Sequence, residues 1–270
     1  MKSEEALLES TRRVSLPQKT DILGIGVSML TKAKMLAIVA DAVRSGSKTR
    51  VAFCTVDTIS QSQGNKTLFN AVNDYEVVSP DGMPLVWFGK IQGVQEMERV
   101  DGPNAMLAIC EQGVPLGFKH YFYGSTEPML EALEKNMRAR FPGIDIVGSY
   151  SPPFRPLSEE ERLEAAARIN AARPDLVWIG LGMPKQELWV AENYTDVEAP
   201  VILAVGAAFG FHAGMVRRAP KWMQDRGLEW LFRLSQEPRR LWKRYLVGNT
   251  IFLCLSARQL LFRRRSNKTP

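Results

Sequence analysis

Asp81 is the residue of this chain whose position most suggests acid–base chemistry. It lies between Pro80 and Gly82 at the end of an apolar run, where a rigid backbone would aim its carboxylate into a cleft. Such a carboxylate acts as a general base when burial raises its pKa toward neutrality and when it reaches the proton that it removes. The alternative is an Asp that supports a turn through hydrogen bonds to its own backbone, and the motif alone does not separate the two.

Other polar or glycine-rich segments also follow apolar runs. Thr55 and Asp57 could hydrogen-bond the hydroxyl groups of a sugar, although a Thr-x-Asp step can equally cap the helix that follows. Gln186 opens a predicted helix after a glycine-rich loop, and a helix N-terminus favours anions. For Gly124 an ordinary tight turn is an equally good explanation. The glycines expected to line the same cleft are Gly124, Gly182 and Gly206.

Two further residues have a functional and a plainer interpretation. Arg99 could clamp a phosphate or hold Asp81 ionised, but without further context a solvated surface pair with Glu98 is the preferred interpretation. His212 is a second candidate base, although a single histidine in a glycine-flanked apolar loop is more often structural.

The sequence offers no pattern for a metal or a redox cofactor. It contains no D-x-D motif, so a metal-bridged diphosphate would lack its usual carboxylate pair. Its three cysteines and two histidines form neither a disulfide framework nor a zinc motif, which favours a reducing compartment. Gly24 and Gly26 resemble the start of a dinucleotide fingerprint, but Met29 occupies the third glycine position. We therefore expect no metal and no cofactor.

The C-terminal fifth of the chain carries the positive charge. Residues 217–270 hold 14 Lys and Arg against 3 Asp and Glu, a net of +11, which leaves −5 for residues 1–216 of a chain whose total is +6. Tryptophans and leucines alternate with these cations, as in a surface that faces a membrane or a nucleic acid. The apolar run at 246–255 is shorter than the roughly 20 residues needed to span a bilayer, so we expect the segment to lie on a membrane.

The elements that position these residues follow a strand, loop, helix rhythm. At least five such units occur, beginning with the apolar run at 21–30 and ending near residue 212, which predicts an α/β fold with a Rossmann-like, mostly parallel sheet flanked by helices. Ligands of such sheets bind beyond the carboxyl ends of the strands. We divide the chain into a polar tail at 1–19, which lacks the features of a secretory signal, a core at 20–216 and a basic helical appendage at 217–270.

Four stretches form a distinctive set: SPDGMPLVW at 79–87, ERVDG at 98–102, GLGMPKQE at 180–187 and RAPKWMQDRGLEWLFRLSQEPRRLWKRY at 218–245. Together they resemble the WecG/TagA/CpsF glycosyltransferases, glycosyltransferase family 26, over about residues 20 to 262. The resemblance implies an inverting, metal-independent hexosyltransferase. Its donor would be a UDP-sugar of the glucose or N-acetylmannosamine type, and its acceptor a polyprenyl-diphosphate-linked sugar in surface polysaccharide biosynthesis.

The resemblance also assigns roles to residues that match the family's motifs. Asp81 matches the proposed catalytic base, and Thr55, Arg99 and Gln186 match residues that contact substrate. The chain departs from the family pattern at two positions. Asp57 stands where the family usually has asparagine, which puts donor recognition in doubt, and Asn104 stands where aspartate is frequent.

The family's C-terminal appendage anchors the enzyme at the cytoplasmic face of the cell membrane and brings arginines over the active site. By this resemblance, four arginines would hold a donor or lipid diphosphate: Arg233, Arg239, Arg240 and Arg244. Aromatic residues would supply interfacial anchorage, namely Trp222, Trp230, Phe232 and Trp242. The rival hypothesis is a non-catalytic basic α/β protein that binds a membrane or nucleic acid. The tryptophans and the apolar stretch 251–255 argue against nucleic acid, and the oligomeric state stays open, a homo-oligomer included.

Overall fold

The main sheet of the protein is parallel and six-stranded. The computed structural model describes residues 13–266, with side chains described as far as Leu261. Numbered after the two strands of a separate hairpin, its strands are β3 (Thr49–Cys54), β4 (Val77–Pro80), β5 (Lys119–Gly124), β6 (Asp145–Tyr150), β7 (Leu176–Gly180) and β8 (Val201–Ala204). The strand order is β4-β3-β8-β7-β5-β6, and each neighbouring pair is parallel. This confirms the predicted α/β class.

Alternate residues of these strands point to opposite faces of the sheet and build two apolar cores. In β3, Val51 and Phe53 belong to one core, while Ala52 and Cys54 belong to the other. Because both faces are covered by helices, most strand residues are buried, as expected for a parallel sheet. The helices are α1 (Lys32–Ser45), α2 (Val56–Ser62), α3 (Lys66–Asn73), α4 (Met83–Ile91), α5 (Gly102–Leu116), α6 (Glu127–Arg140), α7 (Glu159–Ala172), α8 (Lys185–Asn193) and α9 (Ala208–His212).

The apolar run at 21–30 does not form the first strand of this sheet, contrary to our expectation. It contributes to an antiparallel hairpin of β1 (Lys19–Ile22) and β2 (Ile25–Ser28). Its two-residue turn places Leu23 at φ +53° and Gly24 at φ +83°, the left-handed pair that a tight hairpin requires. Gly24 therefore serves a turn, and the strand–turn–helix context of a dinucleotide fingerprint does not occur there.

The C-terminal segment is helical and packs on the core. It comprises α10 (Lys221–Asp225), α11 (Glu229–Gln236), α12 (Pro238–Trp242), a π-helical turn (Lys243–Val247) and α13 (Gly248–Ser266). Phe252 of α13 is buried in the core beside Phe88, with ring centroids 6.4 Å apart. The Ser60 hydroxyl in α2 donates to the Gly248 carbonyl at 2.9 Å. Among the described residues, no helix combines the length and apolar character needed to cross a membrane.

The ends of the chain lie partly outside the described residues. Of the predicted polar tail, residues 1–12 fall outside, as do residues 267–270 of the predicted appendage. The rest of the tail touches the core, since the Val14 backbone N–H donates to Asp41 at 3.0 Å, and β1 already begins at Lys19. The division of the chain at residue 217 stays a prediction.

Candidate active site

A cleft of about 560 Å³ lies beyond the carboxyl ends of β3, β4, β7 and β8. This is the edge of the sheet at which ligands of parallel α/β proteins bind. Residues of the C-terminal segment form one of its walls. Ten of the twelve predicted site residues line it: Thr55, Asp57, Asp81, Arg99, Gly182, Gln186, Gly206, Arg233, Arg240 and Arg244.

The two other predicted residues do not line the cleft. Gly124 is buried at φ +114°, and a Cβ built on it would lie 2.8 Å from the Gly180 carbonyl carbon. It therefore allows β5 to end close against β7, which is the tight-turn interpretation, and its neighbour Ser125 lines the cleft instead. Arg239 is exposed on α12 and is not among the residues that line the cleft, and its role at a diphosphate or at the membrane stays a prediction.

Asp81 directly follows β4 and faces the cleft. Its backbone N–H donates to the Cys54 carbonyl at 3.0 Å, and its side chain is 19% exposed. The contacts of its carboxylate are long: the Gly102 N–H lies 3.4 Å from Oδ2, and Arg99 Nη2 lies 3.6 Å from Oδ1. Burial, reinforced by the Asp101 charge and opposed by Arg99, raises the pKa of Asp81 to about 7. A carboxylate with this pKa is suited to act as a base near neutral pH.

Arg99 belongs to a network of acids and arginines, and the expected solvated pair with Glu98 is wrong. Only 16% of its side chain is exposed, and its Nη2 donates to Glu229 at 2.7 Å. Arg218 bridges Glu229 at 3.1 Å and Asp101 at 2.6 Å. Burial alone would raise the pKa of Asp101, but Arg218 and Arg99 bring it below its ordinary value. Neither Arg218 nor Glu229 is among the predicted site residues, although both fall within the motif at 218–245.

Thr55 and Asp57 line the cleft but also have structural partners. Thr55 is the N-cap of α2, and its hydroxyl accepts from the Thr58 N–H at 3.3 Å, as the capping interpretation expects. Asp57 pairs with Arg244 of the C-terminal segment at 2.8 Å and accepts from Gln61 at 3.2 Å. A role for either residue in recognising donor hydroxyls stays a prediction.

Gln186 holds together the loops at the floor of the cleft. Its Oε1 accepts from the Gly182 N–H at 3.1 Å, and its Nε2 donates to the Ala204 carbonyl at 2.9 Å and to Glu187 at 3.0 Å. A Cβ on Gly206 would lie 2.8 Å from the Gln186 Oε1, so this close approach requires glycine. Burial raises the pKa of Glu187 to about 7, and its second carboxylate oxygen has no hydrogen-bond partner among the described residues.

The C-terminal segment supplies cations to the cleft. Arg233 lies over the Phe211 ring at 5.7 Å, Arg240 pairs with Glu237 at 2.6 Å, and Arg244 pairs with Asp57. Three guanidinium groups on one wall suit a diphosphate, which they can bind through paired hydrogen bonds.

The predicted aromatic anchors divide into two groups. Trp222 and Trp242 are 54% and 45% exposed, so both can reach a surface outside the molecule. Trp230 instead lines the cleft and lies against Tyr245, with ring centroids 6.0 Å apart, and Phe232 is half-buried. Trp222 and Trp242 are therefore the better placed anchors.

His212, the second candidate base, has a structural partner. His212 Nε2 lies 2.9 Å from the Pro103 carbonyl, and burial lowers the pKa of the imidazole, which supports a structural role. Among the described residues, no group of three or more His, Cys, Asp or Glu side chains is placed to hold a metal ion.

The fold and the site together define a class: an α/β protein whose cleft, at the carboxyl ends of the strands, holds a carboxylate with raised pKa and a wall of arginines suited to an anionic ligand. This arginine wall consists of Arg233, Arg240 and Arg244. The chain matches the model of the glycosyl transferase WecG/TagA/CpsF family over residues 20–266. It belongs to that family.

Two curated relatives carry the same name, N-acetylglucosaminyldiphosphoundecaprenol N-acetyl-beta-D-mannosaminyltransferase. The protein of Bacillus spizizenii (strain ATCC 23059 / NRRL B-14472 / W23) is 29% identical over 171 residues, which cover 63% of this chain and 64% of the relative. That of Bacillus subtilis (strain 168) is 27% identical over 183 residues, which cover 67% of this chain and 69% of the relative. The chain thus spans about two thirds of each relative.

Proposed function

We propose that the protein is an inverting glycosyltransferase that moves a sugar from UDP to a polyprenyl-diphosphate-linked sugar during surface polysaccharide biosynthesis. Membership of the family supports transfer of a sugar. The names of the two relatives describe N-acetylmannosaminyl transfer to N-acetylglucosaminyldiphosphoundecaprenol, so a donor of the N-acetylmannosamine type is the first to test, with glucose second. The observation that carries the proposal is Asp81, a carboxylate with raised pKa that faces the arginine wall across one cleft.

The proposed reaction is a single displacement. Asp81 takes the proton of the acceptor hydroxyl while that oxygen forms a bond to the anomeric carbon. The bond between this carbon and the diphosphate oxygen breaks on the opposite face, and its electron pair leaves with UDP. The configuration therefore inverts. The cleft contributes by holding both substrates in line and by presenting fixed charges where negative charge develops.

Arginines would offset the charge of the departing UDP without a metal. Arg233, Arg240 and Arg244 all line the cleft, and guanidinium groups match the geometry of phosphate oxygens. Arg244 is held by Asp57 at 2.8 Å in this state, so a bound diphosphate would share it or replace the aspartate. We expect activity to persist in the presence of a chelator.

The enzyme would work at the cytoplasmic surface of the membrane as a peripheral protein. Exposed apolar side chains accompany the basic residues of the C-terminal segment, among them Trp222, Trp242, Ile251 and Leu253. Apolar burial combined with attraction to anionic lipids is how amphipathic segments bind a bilayer surface. Such a position would bring the cleft close to a lipid-linked acceptor.

The test is UDP release from a panel of UDP-sugars, with GDP-mannose as a control donor and a synthetic prenyl-diphosphate-sugar as acceptor, with and without EDTA. Acceptor-dependent release from one donor would support the proposal. Asp81→Asn should lower that rate by about 10²–10⁴-fold, the usual contribution of a general base. Asp145→Asn is the matched control, because Asp145 is exposed at the amino end of β6. Near-normal turnover by Asp81→Asn would contradict the assignment of the base.

A further inference from the structure

The network around Asp81 contains more acids than cations. Three carboxylates, those of Asp81, Asp101 and Glu229, surround two guanidinium groups, those of Arg99 and Arg218. Asp101 and Glu229 each have a guanidinium nitrogen within 2.7 Å, whereas Asp81 has its closest one at 3.6 Å. Asp81 is therefore the acid of this network with the weakest cationic partner.

The orientation of Arg99 explains this difference. Its Nε donates to the Asp81 main-chain carbonyl at 2.6 Å, its Nη1 to the Gln224 carbonyl at 2.9 Å and its Nη2 to Glu229 at 2.7 Å. Each of the three nitrogens thus has a hydrogen-bond acceptor other than the Asp81 carboxylate, from which Nη2 lies 3.6 Å away. Two of the three acceptors, Gln224 and Glu229, come from the C-terminal segment.

We propose that Glu229 is a positioning residue for the transfer reaction: it holds the Arg99 guanidinium on the side of the C-terminal segment, so that Arg99 makes no hydrogen bond to the Asp81 carboxylate, which remains able to accept a proton. The inference rests on the proposed function, because that function gives Asp81 its role. It adds that the C-terminal segment prepares the base as well as the diphosphate site.

Electrostatics gives the direction of the effect. Arg99 at 3.6 Å already opposes the raised pKa of Asp81. Hydrogen bonds to the charged form of a carboxylate lower its pKa further, so an Arg99 released to donate directly to Asp81 would make that acid a weaker base. The charge of Glu229 itself also raises the pKa of Asp81, after burial and Asp101. From β3 the Asp81 site meets the buried thiol of Cys54, whose own pKa is raised by burial. Loss of the Glu229 charge should therefore lower the pKa of Asp81 in two ways.

The experiment compares the pH dependence of UDP release in wild type and in Glu229→Gln. We expect the acidic limb of the wild-type profile near the raised pKa of Asp81, and in Glu229→Gln a limb about one pH unit lower with a reduced rate on the plateau. Glu229→Asp, which keeps the charge, should restore the wild-type limb in part. Asp225→Asn is the matched control, because this exposed acid of the same segment pairs with Lys221, and its profile should equal that of wild type.

A second measurement does not require activity. In protein labelled with ¹³C at the aspartate carboxyl carbon, the signal absent from Asp81→Asn identifies Asp81, and its titration midpoint can be followed in the full chain. The midpoint should fall in Glu229→Gln. An unchanged midpoint, or a lower rate with an unmoved acidic limb, would overturn the inference and leave Glu229 a merely structural residue. If wild type released no UDP from any donor, the proposed function would fail, while this comparison would still decide whether Glu229 controls the titration of Asp81.

Discussion

Burial is the main cause of the raised pKa of two acids in the cleft. Asp81 is 19% exposed and has Arg99 at 3.6 Å, whereas Glu187 is 1% exposed and accepts a hydrogen bond from the uncharged Gln186. An ionised carboxylate in such a place is costly unless it is paired. Both acids therefore gain and lose a proton near neutral pH, Asp81 where the proposed chemistry occurs and Glu187 at the floor that supports it.

Glu187 should make the stability of the protein depend on pH. Its pKa is about 7 in the folded protein, compared with 4.5 for an ordinary glutamate, so the folded state binds more protons between these values. Stability is then greatest at the acidic end of this range and falls as the pH rises toward 7. Glu187→Gln removes the loss, and we expect it to be more stable than wild type at about pH 8 by on the order of 3 kcal/mol, with little difference at about pH 5.

Urea denaturation at the two pH values measures this difference. Glu192→Gln is the control, since Glu192 is exposed on the same helix, and it should change stability equally little at both. A stabilisation by Glu187→Gln that is the same at about pH 5 and about pH 8 would contradict the explanation.

For individual residues, the sequence predicts which side chains lie at the ends of strands, but it does not predict which charged side chains form ion pairs. Asp81 is recognisable because Pro80 and Gly82 and the preceding apolar run are adjacent to it. The partners of Arg99 and Asp101 are not, because Glu229 and Arg218 lie 130 and 117 residues away along the chain. Local periodicity carries no information on contacts of that range, which depend on how the C-terminal segment docks.

The C-terminal helices are fixed by a few buried side chains, while their arginines line the cleft. Leu241, Tyr245 and Phe252 are each at most 9% exposed. Deletion from residue 217 onward should therefore leave a core that binds donor poorly and no longer associates with anionic vesicles. Circular dichroism shows whether the core is folded, a donor titration measures donor binding, and vesicle sedimentation measures association with the membrane. Retained activity on a lipid-linked acceptor would contradict the prediction.

A full-length variant separates loss of charge from loss of packing in that experiment. The deletion uncovers Phe88 as well as removing cations, because Phe252 packs on it. Replacement of Arg233, Arg240 and Arg244 by glutamine keeps the buried apolar contacts. We expect this variant to fold as wild type does and still to bind donor weakly.

Helix α4 of the core should share in membrane contact. Its Trp87 and Ile91 are 48% and 61% exposed, and Gly227 of the C-terminal segment packs so close that a Cβ there would lie 3.3 Å from Trp87. Indole rings favour the interface of a bilayer. Trp87→Ala should weaken binding to anionic vesicles by up to about tenfold, or about 1.4 kcal/mol. Leu116→Ala, at the end of α5 and also exposed, should leave vesicle binding unchanged, and equal losses in both variants would exclude α4 as a specific contact.

Helices and strands can be predicted from the sequence wherever their apolar residues recur at one regular spacing. The six parallel strands are short apolar runs that alternate with helical patterns, and both signals are local. The hairpin of β1 and β2 was missed because Leu23, which rarely adopts a left-handed conformation, stands beside Gly24 in its turn. Apart from Gly24, nothing in the run 21–30 therefore indicates that the chain reverses direction there.

Over the whole molecule, charge is divided between the acidic residues 1–216 and the basic residues 217–270. Binding to anionic vesicles should fall steeply as ionic strength rises through about 0.1 M, where the Debye length is about 10 Å, and it should be weak on neutral vesicles. Sedimentation over a salt series measures this. Duplex DNA in the same buffers is the control ligand, because it is anionic but offers no apolar interior. Equal affinity for DNA and vesicles would favour the rival hypothesis of a general polyanion-binding protein.

The position of β8 gives the sheet an order of assembly. Of the strands in residues 13–266 it is the last to be synthesised, yet it lies in the middle of the sheet, between β3 and β7. On the ribosome, the pair β4-β3 and the trio β7-β5-β6 therefore have no common edge until Val201–Ala204 emerges, and each meanwhile exposes an unpaired strand. β8 and the residues that follow it form part of the floor of the cleft, and the arginines of its wall are synthesised later still. The cleft of a nascent chain is therefore complete only after the C-terminal segment has been translated.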